Sequence, residues 1–228
     1  MYHYVTDKEF LKQSYSICAD LVNQLVQELK GYEIDSEMHT VGSKKRGLIT
    51  QNENEPIDYD FNLLIHNPDA VGSPGDLKKQ IMEAFNDVLE RNGLRNCDDS
   101  TSAITTKRMQ MKKGNKTEFS IDVCIVRIDR YGKCQRLIHQ KHQWIQYGQY
   151  YWNDVCNQED LWEKEDYLKP DYWQLVREKY LDRKNFYLRR GDYDHPSFVC
   201  YIESVNDIYN QVKMQTQSIK GGQMFSIW

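Results

Sequence analysis

An α+β fold is predicted, built as a mixed sheet with flanking helices and followed by a helical C-terminal lobe. Three observations predict it. Helical periodicity comes first in the chain, strand-like alternation follows between residues 33 and 139, and the pattern turns helical and rich in Trp and Tyr from about residue 143. The order helix, strands, helix, strands, helices suits segregated layers better than an alternating βαβ chain. Two regions follow: residues 1–142 as an N-terminal helix with the α+β core, and 143–228 as the helical lobe.

Residues 7–30 are predicted as an amphipathic helix. Phe10, Leu11, Tyr15, Cys18, Val22, Leu25, Val26 and Leu29 recur at steps of three and four, and Gly31 is a reasonable stop. Residues 33–41 form a candidate strand running into Val41-Gly42-Ser43. The polar stretch 44–56 reads as a loop. Residues 57–65, Ile-Asp-Tyr-Asp-Phe-Asn-Leu-Leu-Ile, read as a strand. Ser73-Pro74-Gly75-Asp76 opens a helix to about Asn92, with Leu77, Ile81, Phe85, Val88 and Leu89 inward. Segments 102–111 and 117–128 are predicted strands around a turn at 113–116, with a third strand over 133–139 and helices over 158–167, 171–190 and 196–214.

Hydrophobic residues make up 39% of the 228 and charged residues 28%, enough apolar material for a core without disulfides. The formal net charge of −4 excludes a globally basic nucleic-acid coating protein. The six cysteines are scattered with no zinc-knuckle spacing and read as buried, reduced thiols. There is no apolar signal core near the N-terminus and no run long enough for a membrane span, so a cytoplasmic protein with no membrane partner is expected. The sequon Asn115-Lys116-Thr117 then reads as chance.

Three features carry chemistry together. Asp58 and Asp60, two apart on a strand, project to one face, where like charges repel unless a cation sits between them. Asp122 stands alone in the apolar run Ser-Ile-Asp-Val-Cys-Ile, an expensive place for a charge without a partner. Three carboxylates converging from neighbouring strands form a hard oxygen site suited to Mg²⁺ or Mn²⁺. Gly42-Ser43 supplies a turn whose backbone can approach phosphate closely, with Lys44, Lys45 and Arg46 adding positive charge.

Val41-Gly42-Ser43, Ile57-Asp58-Tyr59-Asp60-Phe61 and Ile121-Asp122-Val123, in this order, resemble the DNA polymerase beta-like nucleotidyltransferase superfamily. The long first helix and helical tail are similar in layout to its oligoadenylate-synthetase and bacterial cyclic-oligonucleotide-synthase branch, or to a minimal nucleotidyltransferase. The matching core covers roughly residues 33–128. The resemblance implies transfer of a nucleoside monophosphate from an NTP to an acceptor hydroxyl with release of pyrophosphate. It implies that Gly42 and Ser43, with Lys44, bind the triphosphate. Asp58 and Asp60 would bind two Mg²⁺ ions, and Asp122 would complete the site that activates the acceptor. A basic residue of the helical lobe, Arg183 or Lys184, would reach the triphosphate tail. The acceptor is left open among a nucleotide or RNA end, a small molecule and a protein side chain. The alternatives are a non-catalytic nucleotide-binding or toxin–antitoxin module on the same fold, and an unrelated binding protein whose carboxylates are structural.

Blander readings stand beside these. Asp58 and Asp60 could line a solvated strand edge, and Asp122 could pair with a core cation such as Lys107. Lys107, Arg108, Lys112, Lys113 and Lys116 read as a solvated face or a phosphate contact. The aromatics between 144 and 173 read as core packing, with base stacking as the other use. His139 and His142 read as a surface pair, and the tip at 220–228 as a frayed end or a docking segment.

Overall fold

The structure is a computed structural model, and it describes residues 1–111, 117–141, 148–155, 159–192 and 195–222. In chain order the elements are β1 (Tyr2–Tyr4), α1 (Lys8–Leu29), β2 (Ser36–Thr40), α2 (Gly42–Arg46), β3 (Thr50–Asn52), β4 (Ile57–Ile65), α3 (Pro74–Arg91), β5 (Asp98–Asp99), β6 (Ile104–Thr105), β7 (Phe119–Ile128), β8 (Cys134–Gln140), β9 (Gln149–Asp154), α4 (Glu159–Leu168), α5 (Trp173–Arg189) and α6 (Ser197–Gly222). They form two compact units, one of Tyr4–Val155 and one of Met1–His3 with Cys156–Trp228. The boundary predicted at 142/143 falls instead after Val155, because β9 pairs with β8 and belongs to the sheet. The stretch 44–56 is not all loop, since it holds the end of α2 and all of β3. Among the described residues no helix is long and apolar enough to cross a membrane.

The larger unit is a mixed sheet in the order β2-β4-β7-β6-β5, with β8 pairing β7 and β9. Strands β4 and β7 run parallel at its centre, with Asp60 opposite Asp122. The other pairings are antiparallel, and β6 and β8 pair with different stretches of β7, at Val123 and Asp122 and at Val126–Ile128 respectively. Alternation along β4 fixes its two faces. Ile57, Tyr59, Phe61, Leu63 and Ile65 are buried, whereas Asp58, Asp60, Asn62 and Leu64 are not. The buried set packs with Phe119, Ile121, Val123 and Ile125 of β7 and with the apolar stripes of α1 and α3 in one core.

Helix α1 starts where Asp7 accepts a hydrogen bond from the Phe10 N–H at 2.9 Å. Its buried positions, Phe10, Ser14, Cys18, Leu21, Val22, Leu25 and Leu29, keep the helical spacing. Ser14 is satisfied by the Phe10 carbonyl (2.6 Å) and the Tyr59 hydroxyl (2.8 Å), which ties helix to sheet. Gly31 lies in a 3₁₀ turn after the helix, and the left-handed residue that redirects the chain is Glu33. Helix α3 begins with a capping box between Ser73 and Asp76 and with Pro74 in its first turn. Leu25 is fully buried at the centre of α1. Leu25→Ala is expected to destabilise the protein by about 2–5 kcal/mol in urea denaturation, since the sheet beneath cannot collapse into the space.

In the smaller unit, α5 and α6 bury Val176 and Tyr180 with Cys200, Tyr201, Val205, Ile208 and Val212. Asn185 clasps the N-terminal segment through both edges of its amide, accepting from the Tyr2 N–H at 2.8 Å and donating to the Tyr2 carbonyl at 3.0 Å. Cys18, Cys97, Cys124 and Cys200 are buried free thiols as expected, whereas the free thiol Cys134 is only half-buried, and Cys156 lies outside the described residues.

Candidate functional site

The site lies on the sheet face opposite α1 and α3, at the centre of the parallel pair. Because Asp60 and Asp122 are register partners on adjacent parallel strands, their side chains leave the same face side by side. Asp58, two residues earlier on β4, joins them on that face beside Ser120. The strand pattern thus brings Asp58, Asp60 and Asp122 together as predicted.

Each outer carboxylate has a hydroxyl donor from its register neighbour. Ser120 donates to Asp58 Oδ1. Thr105, opposite Asp122 on β6, donates to Asp122 Oδ1 at 2.6 Å. The Asp60 carboxylate has no such hydroxyl donor among the described residues. Burial, followed by the charges of Asp122 and Asp58, pushes its carboxyl up to about 6, against a smaller pull from Arg136 and Arg46. Burial also raises Asp122; the Thr105 hydrogen bond opposes this and the Asp58 charge adds to it. Asp122 is therefore not paired with Lys107, which binds Asp98 instead.

Gly42 closes over Asp60. The Val41 N–H donates to the Asp60 carbonyl at 3.0 Å, which plants the start of α2 against β4. Gly42 has φ +65°, and a Cβ there would overlap Asp60 Oδ2 while lying 2.7 Å from Cγ and 2.9 Å from the Asp60 Cβ. Only glycine fits both the backbone conformation and the contact. Ser43 follows in α2, its carbonyl accepting from the Leu48 N–H at 2.8 Å. Lys44 extends over the Tyr15 ring, 4.6 Å from its centroid.

Arg183 and Lys184 belong to the other unit, on α5. Arg183 pairs with Asp207 at 2.5 Å and Glu203 at 3.4 Å, and Lys184 stands 3.9 Å over the Tyr2 ring. Both are thus engaged within their own unit. Lys107 and Arg108 of the basic stretch are paired with Asp98 and Glu118, while residues 112–116 lie outside the described residues. His139 is buried rather than on the surface. It stacks on Tyr150 with 4.0 Å between centroids and bonds Asp99 at 2.7 Å; its predicted partner His142 lies outside the described residues. Tyr150 and Trp152 pack against the core, Trp162 is exposed, and Trp144, Tyr147 and residues 223–228 lie outside the described residues.

Three residues around the carboxylates escaped the sequence reading. Thr105 and Ser120 are polar residues in strand segments, and only the register shows that each faces an acid. Arg136 shares the carboxylate face through its pairing with Val126, and its Nε is buried without a hydrogen-bond partner. An arginine at an alternating position of a predicted strand is the signal that could have found it.

No protein-family model and no curated protein sequence matches the chain. Among solved structures, the CdnE cyclic dinucleotide synthase of Elizabethkingia meningoseptica, with GTP and Apcpp, matches with a TM-score of 0.54 at 14% identity, over 85% of this chain and 70% of that one. The chain shares the fold of this structure. Vibrio cholerae DncV in its GTP-bound form matches the same fold with a TM-score of 0.54 at 15% identity, over 90% of this chain and 52% of that one. CdnC of E. coli MS115-1, in complex with HORMA-deltaN, matches with a TM-score of 0.52 at 14% identity, over 88% of this chain and 60% of that one. The chain therefore spans between about half and seven-tenths of these proteins' lengths. The fold inferred from three short motifs is the fold found, and within it the carboxylates sit on the paired strands β4 and β7.

Proposed function

We propose that the chain is a metal-dependent nucleotidyltransferase that moves a nucleoside monophosphate from an NTP to an acceptor hydroxyl. The observation that carries this reading is the register pair Asp60–Asp122 with Asp58 beside it, closed by a glycine that fits against Asp60. The fold shared with an enzyme crystallised with GTP and Apcpp supports it.

Two Mg²⁺ ions, or Mn²⁺, would suit the oxygen chemistry of these carboxylates. The site offers hard carboxylate oxygens on one face, where burial and then the neighbouring charges of Asp122 and Asp58 disfavour the ionised form of Asp60. Among the described residues no three Asp, Glu, His or Cys side chains stand as a ready-made ion cage. Asp58 and Asp122 accept hydrogen bonds from Ser120 and Thr105, which orient their carboxylates. Asp58 and Asp60 would hold both ions and Asp122 one of them. Bound there, the ions would neutralise charge on the reacting phosphate and acidify the acceptor hydroxyl.

The protein's own groups do the rest. The absence of a Cβ at Gly42 and the hydroxyl of Ser43 let the α2 turn approach triphosphate oxygens, with Lys44 adding positive charge. Arg183 and Lys184 are the basic residues of α5 proposed for the triphosphate tail, and each has partners within its own unit. The acceptor oxygen bonds to the α-phosphorus as the bond to the bridging oxygen breaks. Pyrophosphate leaves, and the acceptor proton passes to solvent. The acceptor is a nucleotide or RNA end, a small molecule or a protein, and the product chemistry will name it.

The test is pyrophosphate release from each of the four NTPs with Mg²⁺ or Mn²⁺, in wild type and in Asp60→Asn. Release that requires metal and falls to background in the variant is the expected result. NTP binding without release, across a broad set of acceptors, would favour a non-catalytic nucleotide-binding module. No metal-dependent NTP binding would sink the assignment.

A further inference from the structure

The hydroxyl that holds Asp122 is itself held, through the sheet, by an ion pair whose lysine is buried. An ionised carboxylate only accepts hydrogen bonds, so Thr105 spends its one proton on Asp122 Oδ1. Ser100 Oγ lies 2.9 Å from Thr105 Oγ1 and must therefore be the donor in that contact. The Ser100 carbonyl accepts from Lys78 Nζ at 2.7 Å. Lys78, only 2% exposed on α3, makes its ion pair with Asp99 Oδ1 at 2.6 Å. The other Asp99 oxygen accepts from His139 Nδ1 at 2.7 Å and from the Tyr150 hydroxyl at 3.2 Å.

The register explains how this chain crosses the sheet. Asp99 is opposite Ile104 and faces the helices, whereas Thr105 is opposite Asp122 and faces the site. Ser100 sits where the β5–β6 hairpin turns, with its carbonyl on one side of the relay and its hydroxyl on the other. The hairpin has only two residues in each strand, too few to fix its own position. Lys78 from α3, His139 from β8 and Tyr150 from β9 supply that anchorage. Asn86 of α3 adds to it by accepting the Cys97 N–H at 2.9 Å.

On the reading of the site as a metal-dependent transferase, we propose that Thr105 and Ser100 are positioning residues for Asp122, anchored by the pair of buried Lys78 with Asp99, and that they set the affinity of the cation site. They touch neither substrate nor metal. Thr105 occupies Asp122 Oδ1, which would leave Oδ2 for a cation. Partners of this kind change metal affinity by about 10–100-fold when removed.

The test uses the metal-free full chain and Mn²⁺ alone, with free Mn²⁺ followed by its EPR signal. Thr105→Val, which keeps shape but removes the donor, is expected to weaken Mn²⁺ binding about 10–100-fold. Thr105→Ser should restore binding to near wild type, and Ser100→Ala should weaken it less than Thr105→Val. In turnover, Thr105→Val should raise the Mn²⁺ concentration needed for half-maximal pyrophosphate release more than it lowers the rate at saturating metal. Thermal melts of all variants separate this effect from unfolding, and Ser100→Ala carries the test if Thr105→Val does not fold. Weakening by Asp122→Asn with wild-type affinity in Thr105→Val and Ser100→Ala overturns the positioning role and leaves the metal site standing. Wild-type Mn²⁺ affinity in Asp58→Asn, Asp60→Asn and Asp122→Asn alike overturns the metal reading, and this inference with it.

Discussion

Gly42→Ala is expected to lower pyrophosphate release at least about 100-fold and to destabilise the protein by several kcal/mol. Two separate faults produce this. A non-glycine residue at φ +65° costs about 1–3 kcal/mol in backbone strain. The new methyl also overlaps the Asp60 carboxylate, and overpacking of this kind typically adds about 1–3 kcal/mol. Relief must come from the α2 turn moving off β4, which stretches the Val41–Asp60 hydrogen bond, or from Asp60 rotating away from Asp122. Either movement misplaces a group by about an ångström, a displacement that can cost about 100-fold in rate. A double variant separates the faults. Asp60→Ala removes the carboxylate but leaves its Cβ, 2.9 Å from the new methyl. Stability in Gly42→Ala/Asp60→Ala should therefore recover in part relative to Gly42→Ala, while activity stays absent. Urea denaturation and the pyrophosphate assay read the two quantities independently. Wild-type stability in Gly42→Ala would show that the turn has room the structure does not give it.

What could be read from the sequence, and what could not, follows from the range of the interactions. Strand β4 and the helices α1 and α3 were legible because burial on one face writes a period of two or of about 3.6 into the chain. The convergence of Asp58, Asp60 and Asp122 was legible because the acids lie on segments with that period, in an order shared with a known family. Strand β5 and its hairpin with β6 were not, because two-residue strands carry no period, and the strand predicted over 102–111 shrinks to Ile104–Thr105. Lys78 falls beside Leu77 on α3, where a lysine reads as surface until its partner Asp99, distant in sequence, is known. His139 was misread for the same reason, since its burial depends on Asp99 and Tyr150. Strand β9 was hidden because Gln149–Asp154 is half exposed and its tyrosines and tryptophan merge with the aromatic lobe that follows. Thr105 and Ser120 became visible only with the register, a property of strand pairs rather than of either strand.

Asp60→Asn should stabilise the metal-free protein at pH 7 while removing its activity. The carboxyl of Asp60 is raised from 3.8 to about 6 in the folded chain. A raised acid binds its proton more tightly when folded than when unfolded, so the native state takes up protons between those values. Its contribution to stability is then most favourable below pH 4 and is lost as pH rises through about 6. At about 1.4 kcal/mol per unit, the penalty at neutral pH approaches about 3 kcal/mol at most. Asp122, raised as well, acts in the same direction, whereas Asp99, Asp76 and Asp129 are lowered and act oppositely. The absolute pH profile therefore mixes signs, and the difference between wild type and Asp60→Asn isolates the site. That difference, from urea denaturation in chelator, should favour the variant above pH 6 and shrink toward zero below pH 4. Adding Mg²⁺ or Mn²⁺ at pH 7 should reverse it, because a ligand that binds only the native wild-type site stabilises that site alone. A variant less stable than wild type in chelator at pH 7 would mean that Asp60 is held by partners stronger than its repulsion from Asp58 and Asp122. The carboxylates would then be a structural cluster rather than an acidic site strained in the direction that a cation relieves.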